Sequence, residues 1–235
     1  MLASRTSSIP SSSPLKPFEQ CNSLHGDRTT YGRILVPALF PHVDRLIYLD
    51  ADTIPNLDLA ELTRMDLEGA GVAAVVEETV TRALQRDFYL SAGLELDTPL
   101  FNAGVMLIDV ARWNSEQMCE RVIDGARRYA GKYRSASQPP LNAVIAGRFC
   151  PLPPRYNTQV SPRNEVVYDP ASEAIYHFVG SPKPWDLGGA DHPNAAIMYH
   201  ALDALGLPHD IVEASWSTRS FGRFLRGLLR RAFGR

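Results

Sequence analysis

Residues 45–62, RLIYLDADTIPNLDLAEL, set an apolar run directly against two carboxylates, Asp50 and Asp52, separated by one alanine. The run over 45–49 has the composition of a buried strand. Two acids at i and i+2 on a continuing strand point to one face, where they can share a cation while the following loop admits a ligand. Taken alone, D-x-D is short and common and reads more simply as strand-end punctuation, with Asp52 turning back onto backbone amides.

On either side of this segment the pattern is mixed α/β. TTYGRILVPALFP (29–41) predicts a helix running into Pro37, and a short helix after the D-x-D has Asp58 and Glu61 at capping-box spacing. GVAAVV (71–76) and FNAGVMLIDV (101–110) read as buried strands. From Asn114 the apolar positions Met118, Val122, Ile123 and Ala126 predict one helix, stopped at Gly131. PPLNAVIAG (139–147) predicts a second, and short apolar stretches at 149–152 and 175–179 complete the order.

A chain of 235 residues with 45% hydrophobic content is long enough for one sizeable core and short for two. Its three cysteines, Cys21, Cys119 and Cys150, are widely spaced and odd in number, which argues against a disulfide framework or structural zinc and fits a reducing compartment. No apolar run reaches membrane-spanning length, and no leader pattern is present. The Ser/Pro-rich start leads to the expectation that residues 1–26 lack fixed structure, with a main domain over 27–214.

A second segment, YHFVGSPKPWD (176–186), gathers His177, Gly180, Lys183 and Trp185. Around a bound diphosphate, His177 can complete the metal site, Gly180 can admit the backbone to phosphate, and Lys183 can neutralise charge. Each residue alone is read more simply, as a satisfied histidine beside a proline-rich turn and a solvated lysine. In the order YLDAD, FNAGVMLIDVARWN, QPPLNAV, HFVGSPKPW, however, the chain resembles glycosyltransferase family 8, the retaining sugar-nucleotide transferases that include glycogenin and bacterial lipopolysaccharide glucosyl- and galactosyltransferases.

The resemblance implies a GT-A-like, Rossmann-related mixed sheet. It makes Asp50, Asp52 and His177 metal ligands, and Gly180 and Lys183 diphosphate contacts. It puts Arg33 near the donor phosphates or sugar, and Asn102, Ala103, Gly104 and Gln138 at the donor sugar, with Gln138 and Asn102 the catalytic candidates. The implied cofactor is Mn²⁺, with Mg²⁺ as the alternative. The implied partners are a UDP-hexose donor and a glycan or lipid-linked acceptor, with no nucleic acid.

Two departures from the family pattern stand out. Ser137 replaces an acid that normally lies close to the reacting sugar, which leads to an expectation of low activity. Only 49 residues precede Asp50, which leads to the expectation of a fold lacking part of the N-terminal nucleotide-binding half. The rival readings are a degenerate relative that binds without turnover, and another metal-dependent enzyme acting on nucleotides or phosphate esters.

Residues 215–235 form a separate feature. From Trp216 onward there are six arginines and no acid; removing them from the 24 basic residues leaves 18 against 26 acidic. Phe221, Phe224, Leu225, Leu228 and Leu229 recur at helical spacing opposite Arg219, Arg223, Arg226 and Arg230. This predicts a basic amphipathic helix on an anionic membrane surface, or equally one docked on the domain. The expected location is cytoplasmic, peripheral on the inner face of the membrane.

Overall fold

In the computed structural model the described residues are 16–23, 26–186 and 189–209. The strands are β1 (Arg45–Leu49), β2 (Thr53–Asn56), β3 (Val72–Thr79), β4 (Pro99–Asp109), β5 (Cys150–Leu152), β6 (Thr158–Val160) and β7 (Ala174–Phe178). The α-helices are α1 (Gly32–Leu39), α2 (Ala60–Thr63), α3 (Arg86–Ser91), α4 (Val110–Ser115), α5 (Met118–Arg128), α6 (Gln138–Ile145) and α7 (Ala195–Ala204). They divide between two compact units, Met1–Tyr48 with Met65–Pro151 and Leu49–Arg64 with Leu152–Arg235. The basic helix expected over 215–235 lies outside the described residues.

The first unit is built on a four-stranded sheet of order β1-β4-β3-β5. The long strand β4 is buried along nearly its whole length, as its unbroken apolar run requires. Phe101, Met106, Ile108, Trp113, Val122 and Leu141 form the centre of its core. Phe18 belongs to the same core and stacks on Tyr31 with ring centroids 4.4 Å apart. Phe18 and Cys21 are therefore packed, although they fall in the stretch expected to lack fixed structure. A single aromatic that finds a partner outweighs a polar, proline-rich surrounding.

Other local expectations are corrected by the structure. The helix expected from Asn114 is two helices, broken where Gln117 adopts φ 52 before α5 begins. Helix α1 carries Pro37 through its last turn rather than stopping at it. Asp58 makes no capping box with Glu61; its carboxylate accepts from Ala60 N at 2.9 Å, and Glu61 pairs with Arg155 at 3.3 Å.

The second unit holds a three-stranded sheet of order β2-β7-β6, in which β2 runs antiparallel and β6 parallel to the central β7. Pro55, which cannot donate to a ladder, sits on the edge strand β2 opposite Ile175. Val160, Tyr176, Phe178 and Ile197 fill the core of this unit. Strand β1 ends at Leu49, and the chain turns at once, with Thr53 N donating to Asp50 O at 3.1 Å and Thr53 Oγ1 to the same oxygen at 2.8 Å. The D-x-D therefore lies in a tight turn between strands of different sheets, not on a continuing strand.

Candidate active site

The turn brings Asp50 and Asp52 against β7. Phe178 N donates to Asp52 O at 2.9 Å, while the register pairs Thr53 with His177. His177 Nε2 then stands 3.3 Å from Asp52 Oδ1 and 3.9 Å from Asp50 Oδ2, and ligand atoms of all three residues lie within 4.8 Å of one another. An octahedral cation with bonds near 2.1 Å separates neighbouring ligands by about 3 Å and opposite ones by about 4.2 Å, so the two His177–carboxylate separations suit one shared ion.

The histidine is also correctly presented. Its Nδ1 lies 3.0 Å from Asn157 Oδ1, an atom that can only accept, so Nδ1 carries a proton and Nε2 is the ring nitrogen turned to the two acids, the one that would offer its lone pair to a cation held between them. Both side chains of this contact are buried, His177 on β7 and Asn157 just before β6. Two carboxylates and an imidazole nitrogen form a donor set that fits a divalent cation.

Lys183 Nζ donates to Asp52 Oδ2 at 2.7 Å, so the two oxygens of that carboxylate serve different partners. Burial pushes the Asp52 carboxyl up, but hydrogen bonds to His177 and Lys183 and their charges outweigh it and hold the group at about 2. The lysine is set by a closed turn. Lys183 N donates to Asp186 Oδ2 at 2.9 Å, Asp186 N to Lys183 O at 3.0 Å, and Gly189 N to Asp186 O at 2.8 Å. A Cβ on Gly189 would run into Lys183 O and lie 2.5 Å from Pro184 O, so this position admits glycine alone without displacing the turn. Trp185 packs edge-on against Phe178, centroids 5.4 Å apart, and ties the turn to the strand that carries His177.

Gly180 has φ +76, a conformation that L side chains rarely adopt, while a Cβ there would meet only Pro162 Cδ at 3.8 Å. The demand for glycine at this position is met by backbone conformation; crowding plays no part.

In the first unit, Asn102, Ala103, Gly104 and Gln138 form a hydrogen-bonded group around a residue that the sequence reading missed, Glu77. Gln138 Nε2 donates to Glu77 Oε2 at 2.9 Å, and Asn102 Nδ2 to Glu77 Oε1 at 3.3 Å. Gln138 Oε1 accepts from Ala103 N at 3.0 Å, and Asn102 Oδ1 from Gly104 N at 2.9 Å. Glu77 falls at a register shift in the β3–β4 ladder, between the pairs Val76–Phe101 and Glu78–Leu100, and such irregularities re-aim side chains. The available signal was an apolar run, AAVV, ending on acids, the same signal that marks Asp50.

Ser137 is buried at the N-cap of α6, directly before Gln138. A carboxylate, that of Glu77 on β3, nonetheless lies beside Gln138. Arg33 is buried, with its Nε on Thr30 O at 3.1 Å and its guanidinium 5.2 Å over the Tyr48 ring.

Residues 4–187 match the family model described as glycosyl transferase family 8. The chain belongs to this family. Among curated relatives it is 27% identical over 199 residues to general stress protein A of Bacillus subtilis, covering 77% of this chain and 66% of that one. It is 29% identical over 152 residues to the lipopolysaccharide 1,2-glucosyltransferase of Escherichia coli, covering 61% of this chain and 44% of the relative. The chain therefore spans between 44% and 66% of the length of these two relatives. The crystal structure of galactosyltransferase LgtC in complex with donor and acceptor sugar analogs superposes with a TM-score of 0.65 at 23% identity, over 83% of this chain and 74% of that one. That likeness shows the fold, a GT-A-like mixed α/β arrangement.

Proposed function

We propose that this chain moves a hexose from a UDP-sugar to a glycan or lipid-linked acceptor, with retention of configuration and with a divalent cation, Mn²⁺ ahead of Mg²⁺. The observation that carries the reading is the Asp50, Asp52, His177 cluster with Lys183 bonded to one of its carboxylates. Family membership and a relative named for lipopolysaccharide glucosyl transfer support the substrate class.

Asp50, Asp52 and His177 would hold the cation, which neutralises charge developing on a leaving diphosphate. The Lys183 ammonium supplies further donors to phosphate oxygens, since its bond to Asp52 uses one of three. In the first unit, Glu77 fixes the amides of Gln138 and Asn102, the residues expected at the donor sugar. Same-face displacement, with the leaving diphosphate assisting deprotonation of the acceptor, accounts for retention.

A thermal-shift series with UDP, UDP-glucose and UDP-galactose, each with and without Mn²⁺, tests the reading. Stabilisation that needs both nucleotide and metal is expected. Preference for unrelated phosphate esters would instead favour another metal-dependent enzyme. Binding without release of UDP from any sugar donor would favour a relative that has lost turnover, the reading that Ser137 supports. For location we propose a cytoplasmic enzyme resting on anionic membrane through residues 216–235, supported by their composition. Deleting them should abolish co-sedimentation with anionic vesicles at low salt; unchanged sedimentation would leave a helix docked on the domain.

A further inference from the structure

Lys183 is not an ordinary surface lysine reaching out for phosphate. Its side chain is 17% exposed, its backbone is held on both sides by Asp186, and its ammonium is bonded to a carboxylate of the cation cluster. The bond takes Asp52 Oδ2 and leaves Oδ1 facing His177 Nε2. The ammonium thus offsets part of the carboxylate charge that would otherwise face a dication.

We propose that Lys183 couples cation and diphosphate binding: it orients Asp52 for the cation while its own charge weakens the site for a bare cation, a cost that only an arriving diphosphate removes. The inference rests on the function proposed above. Its physical content is simple. A cation and an ammonium sharing one carboxylate repel each other, and a diphosphate that contacts both turns the repulsion into two attractions. The site then discriminates in favour of the metal complex of a nucleoside diphosphate over free metal ions.

The test is titration of Mn²⁺ alone, and of Mn²⁺ with saturating UDP, into the full-length parent and its Lys183 variants, followed by calorimetry or by the manganese paramagnetic signal. The parent is expected to bind Mn²⁺ weakly alone and much more tightly with UDP. Lys183→Met should bind Mn²⁺ alone about tenfold more tightly, the repulsion expected between an ammonium and a dication about 5 Å apart in a solvent-like dielectric. It should also lose most of the gain from UDP. Lys183→Arg, which keeps the charge, should stay weak for Mn²⁺ alone. Lys183→Gln keeps a donor without the charge and should follow Lys183→Met, which guards against a folding defect peculiar to one variant.

If both neutral variants bind bare Mn²⁺ no better than the parent while the parent still gains from UDP, the coupling role is wrong and the cation site stands. If the parent shows no metal-dependent UDP binding at all, the site reading falls and takes this inference with it.

Discussion

Replacing Asn157 with leucine isolates the part that tertiary structure plays in the cation cluster, because Asn157 is not a ligand. It accepts from His177 Nδ1 at 3.0 Å, and both residues are only 4% exposed. Leucine keeps the volume and removes the acceptor, leaving a buried imidazole N–H without its partner at a cost of about 1–3 kcal/mol. The ring can escape that cost by moving its proton to Nε2 or by turning, and either change takes the lone pair away from Asp50 and Asp52. Loss of such an orienting partner typically costs about 10–100-fold in metal affinity. At about 1.4 kcal/mol per tenfold, that range agrees with the cost of the stranded donor. Calorimetric titration of Mn²⁺ in saturating UDP measures it directly. Asn157→Asp restores an acceptor and should recover most of the affinity. A leucine variant that binds Mn²⁺ as tightly as the parent, with an unchanged melting curve, would refute the assigned tautomer.

Three further outcomes follow from named contacts. Glu77→Gln removes the charge beside Gln138 and places an amide donor where two donors now converge, so turnover of a UDP-sugar should fall by more than tenfold, about the 10²–10³ typical of losing one electrostatic contact at a reacting centre; unchanged turnover would remove Glu77 from the chemistry. Asp52 has its carboxyl lowered from an ordinary value of 3.8 to about 2 in the folded chain, so its contribution to stability is present above the unfolded value and is lost as pH falls toward 2. Melting temperatures of the parent and Asp52→Asn should therefore converge between about pH 4 and pH 2, and parallel curves across that window would contradict the pairing with His177 and Lys183. Gly189→Ala must displace Lys183 O or Pro184 O, so it should weaken Mn²⁺-dependent UDP binding more than it changes far-ultraviolet circular dichroism; wild-type UDP affinity would show that the turn does not set the lysine.

The sequence by itself determined what is local and periodic. The apolar runs of β3 and β4 are legible because burial demands unbroken hydrophobic stretches, β1 forms the expected strand but is only half-buried along its length, and helix α6 is legible from prolines at its start. Asp50, Asp52, His177 and Lys183 were identifiable as a set from residue type and from resemblance, and the structure does gather them.

What only tertiary structure decided is how they are gathered. A turn closed by Thr53, and not a continuing strand, aims the two acids, because the chain changes sheets at that point and no local propensity records the change. Asn157, twenty residues from His177, sets its tautomer through a parallel pairing of β6 with β7 that has no sequence signature at this length. Glu77 meets Gln138 across 61 positions because a ladder irregularity turns it there. Each of these depends on register between strands distant in sequence, which is fixed by how the faces of a sheet bury their side chains and not by the composition of either strand alone.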